Sequence, residues 1–263
     1  MKQIKLIGSI FFMIASMAIP SIAGVIMISQ ASPDVTDVTD IKTYLDKDCM
    51  RIDTKAGGEE QSFIFRKDKE TFWVVDYKEK SFMEMTKKDL QAMKAKIEEA
   101  MKVLKEQMKN LPPEQKEMME KMMKGQTPGN APKIVYKKIS SGEKVNQWVC
   151  NKYEGCLDNK KEEEIWTTDW EKLGLSVNDF KVMQDVGEFI GEFSKGLGAS
   201  FYKVGIEGNK QSYIGIPIKT INYSGDKVLY TTELKEIQRQ DIASSLFEVP
   251  AGFKKTEIPT GEE

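Results

Sequence analysis

The chain has no histidine among its 263 residues. Histidine is the commonest general base, a frequent zinc ligand and a member of most catalytic triads, so the usual forms of those sites are excluded. The motifs GxGxxG, GxSxG, HExxH and the P-loop are missing as well. We therefore predict that the protein is not an enzyme and that it has no catalytic residues, no cofactor and no dedicated metal site.

An excess of charge of one sign is also lacking. The chain has 39 lysine and arginine residues against 41 aspartate and glutamate residues, and both signs are interspersed. A nucleic-acid-binding surface usually shows a basic stripe with interleaved aromatic residues, and the sequence contains no such stripe. Nucleic acid is therefore not an expected partner.

Cysteine is scarce, with Cys49, Cys150 and Cys156 as the only examples. Cys150 and Cys156 lie in a predicted strand, which would hold them on one face about 20 Å apart, too far for a disulfide. A bridge from Cys49 to one of them across neighbouring strands stays open in an oxidising compartment. A zinc site is disfavoured because the sequence contains no CxxC pair.

A long apolar run without charge lies at the start of the chain. It follows Lys2 and Lys5, and it ends in small residues with Ala23 directly before Gly24. This pattern is typical of a secretory signal peptide, so we predict cleavage after residues 1–23 and a periplasmic or secreted protein. An uncleaved inner-membrane anchor is the less favoured alternative, since the run could extend to the ~20 residues that span a bilayer.

Short β-forming segments separated by turn residues make up most of the remaining sequence. They are GVIMISQAS, DIKTYL, CMRIDT, QSFIFRK, TFWVVD, SFMEM, KIVYKKIS, VNQWVCNKYEGCL, EEEIWTTDW, IGIPIKTINYS and KVLYTTELKEIQ, with SSGEK among the predicted turns. Their spacing, roughly ten residues per strand and turn, indicates an antiparallel meander. A sheet of about ten strands is too large to stay flat, so we expect it to curl.

Two segments change to a helical period. The first is a methionine-rich insertion at 86–125, where Thr86 and Asp89 resemble a capping box. The second runs from about 177 to 197, and Ser176 is its expected N-cap. Glycines within the second helix indicate either close packing or mobility.

Together these elements predict an α+β fold. We expect a curled antiparallel half-barrel sheet with amphipathic helices covering its concave face. This half-barrel is one domain over residues 24–256, and residues 257–263 form a polar tail.

The methionines allow three interpretations. Met118, Met119, Met122 and Met123 share one arc of a predicted helix. They could pack on the sheet as adaptable core. They could instead form a deformable lid over an apolar cavity, because unbranched, polarizable side chains repack around variable partners. Thioethers also bind Cu(I), with Cys49 as a further candidate ligand.

Several stretches resemble an uncharacterised family of exported bacterial proteins. They are CMRID, FWVVDYKEKSFMEMT, CNKYEGC, EIWTTDW, GIPIKT and FEVPAGF. That family is similar in predicted architecture to the outer-membrane lipoprotein carriers LolA and LolB. The resemblance implies an eleven-stranded half-barrel whose helices close over a hydrophobic cavity. The carriers have an arginine in their cavity, and that residue has no secure counterpart here, since Arg51 is the only candidate. A lipoprotein cargo therefore does not follow from the resemblance.

Our leading hypothesis is a cell-envelope protein that binds a hydrophobic small molecule, a lipid or an acylated protein, with transient membrane contact. The expected ligand-binding residues are Met93, Ile97, Met101, Leu104 and Met108 on the lid and Phe63, Phe65, Phe72 and Val74 on the sheet. Trp166 and Trp170 are further candidates at the cavity mouth. The alternatives are a protein that handles soft metal through the methionine cluster and a structural envelope protein without a ligand.

Overall fold

A computed structural model describes residues 23–33, 38–109, 112, 134–197 and 213–257. The strands are β1 (Gly24–Ser32), β2 (Thr39–Leu45), β3 (Cys49–Ala56), β4 (Glu59–Arg66), β5 (Thr71–Asp76), β6 (Ser81–Thr86), β7 (Val135–Val145), β8 (Trp148–Leu157), β9 (Lys160–Thr168), β10 (Ile216–Ser224), β11 (Lys227–Gln240) and β12 (Lys254–Thr256). The helices are α1 (Lys87–Lys109) and α2 (Lys181–Leu197). Short 3-10 turns lie at Lys67–Lys69, Trp170–Leu173, Val177–Phe180 and Ser244–Phe247.

The strands form one large sheet in the order β12-β6-β5-β4-β3-β2-β1-β11-β10-β9-β8-β7. Two antiparallel meanders, β1–β6 and β7–β11, meet where β1 pairs with β11. The short strand β12 pairs with β6 in parallel. Among the described strands, β7 and β12 are the two edges, so the sheet is not closed.

The second meander curls back on itself. Asn146, in the turn between β7 and β8, donates from Nδ2 to Glu233 Oε1 (2.9 Å) and to the carbonyl oxygen of Leu234 (3.2 Å) on β11. Three positions of the strand order separate β8 from β11, so a flat sheet could not bring these groups together. The predicted α+β class with a curled, open antiparallel sheet is confirmed.

The sheet differs from the prediction in two places. It has twelve strands rather than about ten, because each of the eleven predicted β-forming segments forms a strand and residues 254–256 add a parallel edge strand. The predicted turn SSGEK lies inside β7, and the chain reverses at Asn146 instead. Register shifts flank Gly142, whose φ of +81° suits glycine, so the strand absorbs this segment as bulges rather than as a turn.

Both predicted helix starts are confirmed. The Thr86 N–H donates to Asp89 Oδ2 (2.9 Å) and the Asp89 N–H donates to Thr86 Oγ1 (3.2 Å), which is a reciprocal capping box. Ser176 and Asp179 form a second capping box at the 3-10 turn that leads into α2.

The face of the sheet toward α2, here called the helix face, carries the largest buried cluster. From the strands and α2 it contains Val25, Leu45, Met50, Phe65, Ile216, Val182 and Val186. A fully buried side chain of this kind contributes about 1.5–3 kcal/mol, so α2 is held firmly. Helix α1 packs mainly against α2 and β6, so it extends the helical layer sideways rather than lying over the middle of the sheet.

The opposite face of the first meander is covered too. Alternate residues of β1–β5, including Ile26, Tyr44, Ile64 and Trp73, pack against Phe247 of the 3-10 turn Ser244–Phe247. The sequence analysis placed helices on one face and assigned no cover to the other. The residues after β11 supply that cover.

The three cysteines are free thiols. Cys49 lies on β3, whereas Cys150 and Cys156 lie on β8, six positions away in the strand order. The interpretation of a bridge across neighbouring strands is therefore wrong, because β3 and β8 are not neighbours. Among the described residues, no helix is long and apolar enough to span a membrane.

Candidate ligand-binding cavity

A cavity of about 220 Å³ lies between β4, α1 and α2. Phe65 of β4, Leu90 of α1 and Phe189 of α2 are its apolar lining residues. Phe65 and Leu90 are buried, and the rings of Phe65 and Phe189 meet edge to face at 5.4 Å between centroids. Three different elements thus contribute one apolar side chain each to the same space.

Local structure explains how each of these side chains is placed. Phe65 pairs across the sheet with Met50 and Phe72, so it faces the helices with the rest of the helix-face cluster. Leu90 is in the first turn of α1, whose start is fixed by the Thr86 capping box. Phe189 follows the buried anchor residues of α2 and packs against the same cluster.

Six charged residues surround this apolar lining. They are Lys67, Lys87, Lys94, Glu70, Asp185 and Glu188. Three positive and three negative groups give the lining no net charge. Lys67 Nζ lies 2.8 Å from Asp185 Oδ1, and this hydrogen bond raises the pKa of Lys67 above its ordinary value.

Asp185 is the most enclosed of these charged groups, with a side chain that is 13% exposed. Its Oδ1 accepts from Lys67, but its buried Oδ2 has no hydrogen-bond partner among the described residues. An unsatisfied buried polar atom costs about 1–3 kcal/mol, and more when it carries charge. The cavity therefore adjoins a carboxylate with hydrogen-bonding capacity to spare.

Residues 87–253 match DUF4412, a domain of unknown function. The chain belongs to the DUF4412 family. The prediction of an uncharacterised family is thereby confirmed.

The match extends from α1 to the end of the segment that covers the opposite face, so it includes both helices of the cavity. No curated protein matches the chain. Among solved structures, an uncharacterized conserved protein from Thermus thermophilus is similar at 8% identity with a TM-score of 0.47. That similarity covers 90% of this chain and 91% of the other.

The four predicted wall residues of this DUF4412 protein share the helix face. Phe65 is opposite Phe72, and Phe63 is opposite Val74. The rings of Phe63 and Phe72 are 6.1 Å apart between centroids. Phe65 lines the cavity, whereas Phe63, Phe72 and Val74 lie beside it and are half-buried.

The predicted lid residues follow the inner stripe of α1. Met93 and Leu104 are half-buried and Met108 is buried, while most other positions of the helix are exposed. None of these three lines the cavity, because the helix meets it through its first two turns. The side chains of Ile97 and Met101 lie outside the described residues.

The sequence analysis missed several lining residues. Leu90 and Phe189 belong to the apolar stripes of the two helices, so the helical period could have identified them as lining residues. Lys67 and Asp185 are 118 residues apart in sequence, and no local pattern indicates that they meet.

The two tryptophans that were predicted at the cavity mouth lie away from the cavity. Trp166 is buried on β9, and its Nε1 donates to Glu143 Oε2 at 2.5 Å. Trp170 packs against Phe180 with ring centroids 5.4 Å apart. Neither lines the cavity, so the placement of these two at its mouth is wrong.

Arg51 also lies away from the cavity, on the opposite face of the sheet. Its guanidinium donates to Asp53 Oδ1 (2.6 Å), Tyr77 Oη (2.7 Å) and the carbonyl oxygen of Leu246 (2.8 Å). It borders an open groove of about 510 Å³ under the segment after β11. Arg51 thus ties the sheet to this segment, and it does not line the cavity between β4, α1 and α2.

The described residues contain no group of three or more aspartate, glutamate or cysteine side chains that could hold a metal ion. The methionine cluster at residues 118–123 lies outside the described ranges, as do residues 1–22 of the predicted signal peptide.

Proposed function

We propose that this DUF4412 protein is a non-enzymatic binding protein of the cell envelope that holds a hydrophobic or lipid-like ligand beneath its two helices. The observation that carries the proposal is the cavity lined by Phe65, Leu90 and Phe189. Apolar side chains from three elements border one partly open space, with charged groups around them, and such a site suits a ligand with an apolar body. The envelope location rests on the N-terminal sequence pattern.

Burial of the ligand's hydrocarbon supplies the binding free energy, at about 0.8 kcal/mol for each CH₂ group. A cavity of about 220 Å³ is smaller than the ~300–1,000 Å³ typical of sites for drug-sized ligands. A short hydrocarbon chain, or the end of a longer one, fits a cavity of this volume. A longer chain would continue over the neighbouring half-buried wall at Phe63 and Phe72.

The helical layer provides a route for such a chain to enter. Helix α2 is anchored to the sheet by Val182 and Val186, whereas α1 packs mainly on α2 and β6. Displacement of α1 would move Leu90 and open the cavity without disrupting the helix-face cluster. This division into a fixed and a movable helix is our hypothesis for the lid.

We extend the proposal to a carrier of the LolA and LolB type. The support is the open curled sheet with both α-helices of the described chain on one face. Acylated protein is one cargo of that class, and free lipid is another. Because Arg51 lies on the opposite face, the proposal does not rely on that residue for cargo binding.

A pair of charge insertions on α1 tests the proposal. Leu90→Glu puts a carboxylate into the cavity, and Ala92→Glu puts the same group on the exposed side of the helix. We expect an uncharged fluorescent probe with an alkyl chain and a terminal hydroxyl group to bind the wild type and Ala92→Glu alike, and to bind Leu90→Glu at least about tenfold more weakly. Circular dichroism checks that both variants fold.

Organic extraction of protein purified from a cell envelope supplies the second measurement. We expect a lipid or acyl species in the extract of the wild type and Ala92→Glu and its loss from Leu90→Glu. Equal probe binding by the two folded variants, or no binding to the wild type, would show that the cavity is not the binding site.

A further inference from the structure

We infer that the polar end of the ligand carries a hydrogen-bond donor, an ammonium or a hydroxyl group, and that this donor binds Asp185. The inference rests on the proposed function of the cavity and adds the chemical class of its ligand. The apolar part would lie on Phe65, Leu90 and Phe189, and the donor would lie where α2 borders the cavity.

The unused hydrogen-bonding capacity of Asp185 is the first argument. A carboxylate offers about four acceptor positions on its two oxygens. Lys67 uses Oδ1, and Oδ2 is buried without a partner among the described residues. A donor on the ligand would satisfy an atom that the described part of the protein leaves unsatisfied, so binding would remove a cost already present in the free protein.

The position of Lys67 is the second argument. Its side chain is 41% exposed, whereas that of Asp185 is 13% exposed, so the ammonium lies toward solvent and the carboxylate toward the interior. Lys67 therefore covers Asp185 from outside. Its four-carbon stem is flexible, and rotation of the lysine or the carboxylate would present Oδ2 to a ligand.

Charge balance is the third argument. Since the lining has three lysines and three carboxylates, it exerts no strong net attraction on an anion or a cation. Lys87 and Lys94 are exposed, so their attraction for an anionic ligand is weak in water. A ligand carboxylate beside Asp185 would be repelled and would leave Oδ2 unpaired. The donor class is therefore favoured over fatty acids.

The test compares three ligands of one chain length: octylammonium, octanol and octanoate. Isothermal calorimetry at neutral pH measures their dissociation constants for the wild type, Asp185→Asn and Glu188→Gln. Glu188→Gln is the matched control because it removes one lining carboxylate from the same helix, three residues away. The substituted asparagine keeps an oxygen for Lys67 and replaces the second oxygen with an NH₂ donor.

We expect octylammonium and octanol to bind the wild type about tenfold or more tightly than octanoate does. Asp185→Asn should abolish this preference, and Glu188→Gln should retain it. Equal binding of the three ligands, tighter binding of octanoate, or equal effects of the two substitutions would overturn the inference while leaving the cavity as an apolar site. Failure of all three ligands to bind would overturn both the inference and the proposed function.

A second variant tests the same inference if Asp185→Asn does not fold. Lys67→Met removes the ammonium that covers Asp185 and keeps the apolar stem. We expect octylammonium to bind this variant more tightly than the wild type, since Asp185 then has no lysine competing with the ligand's ammonium group. Unchanged or weaker octylammonium binding would contradict the assigned role of Asp185.

Discussion

Arg51 Nη1 donates a hydrogen bond of 2.8 Å to the carbonyl oxygen of Leu246, 195 residues later in the chain. The same guanidinium bonds to Asp53, Ser62 and Tyr77. Arg51 is 8% exposed, so the charge lies largely out of water and depends on these partners. The bond fixes the segment after β11 to the opposite face of the sheet.

Replacement of Arg51 by methionine should lower the free energy of unfolding by about 3–5 kcal/mol, because it leaves the half-buried Asp53 carboxylate without its cationic partner and removes the hydrogen bond to the Leu246 carbonyl. Urea unfolding measures this loss. Lys78→Met is the control, since the Lys78–Glu59 pair is 2.7 Å apart but well exposed and should contribute about 0–1 kcal/mol. Hydrogen exchange should also rise at Phe247. Similar stability losses in the two variants would contradict the role assigned to Arg51.

Glu163 should make stability fall as pH rises. It is 9% exposed on β9, where Tyr136 donates to its Oε1, and burial raises its pKa above the ordinary value of 4.5. In the window from 4.5 up to the raised value, the folded state keeps a proton that the unfolded state has lost, so each step up in pH favours unfolding. Glutamine does not titrate, so the free energy of unfolding of Glu163→Gln should not fall over this pH window.

Glu164, the next residue, provides a control of opposite sign. Despite its burial, hydrogen bonds from Tyr223 and Lys152 lower its pKa, so its contribution is present at neutral pH and is lost as pH falls through the lowered value. Urea midpoints measured over a pH series should show that Glu163→Gln becomes more stable relative to the wild type as pH rises above 4.5. Glu164→Gln should lose stability relative to the wild type as pH rises through a lower window, from the lowered pKa of Glu164 up to 4.5. Parallel profiles for the two variants would refute this assignment.

Local sequence patterns predicted the elements of this fold well. The burial of β5 alternates strictly along Thr71–Asp76, and the strand was found with those bounds. The Thr86 and Ser176 caps were also found, because a capping box is complete within four residues. Alternation further predicted that Phe65 and Phe72 share a face.

Contacts between distant parts of the chain could not be predicted in this way. The strand β12 has three exposed residues, so it carries no periodic signal, and it pairs with β6 across 173 positions of sequence. The pair of Lys67 and Asp185 depends on how α2 lies against the sheet. The candidate site was therefore predicted through its apolar residues, and its charged residues became visible only when the elements were packed together.

The cysteines should behave as three unreactive thiols. Burial raises the pKa of Cys49 and of Cys150 to about 11, and that of Cys156 is raised by the same cause. The reactive thiolate is therefore rare at neutral pH. An Ellman assay should be slow on the folded protein and should titrate all three thiols in denaturant. Fewer thiols in denaturant, restored by a reductant, would show a disulfide.

Two glycines should respond to alanine in opposite directions. In α2, a Cβ at Gly187 would have no atom within 4 Å, so close packing does not explain this glycine. Gly187→Ala should raise the free energy of unfolding by about 1 kcal/mol through helix propensity.

Gly215 has a φ of +98°, and a Cβ there would lie 2.4 Å from the carbonyl oxygen of Thr168. Gly215→Ala should therefore lower stability by about 1–3 kcal/mol through strain and backbone clash. Urea unfolding of the two variants checks both signs. A loss of stability in Gly187→Ala would show that a Cβ is not accommodated at this position, against the open space that surrounds it.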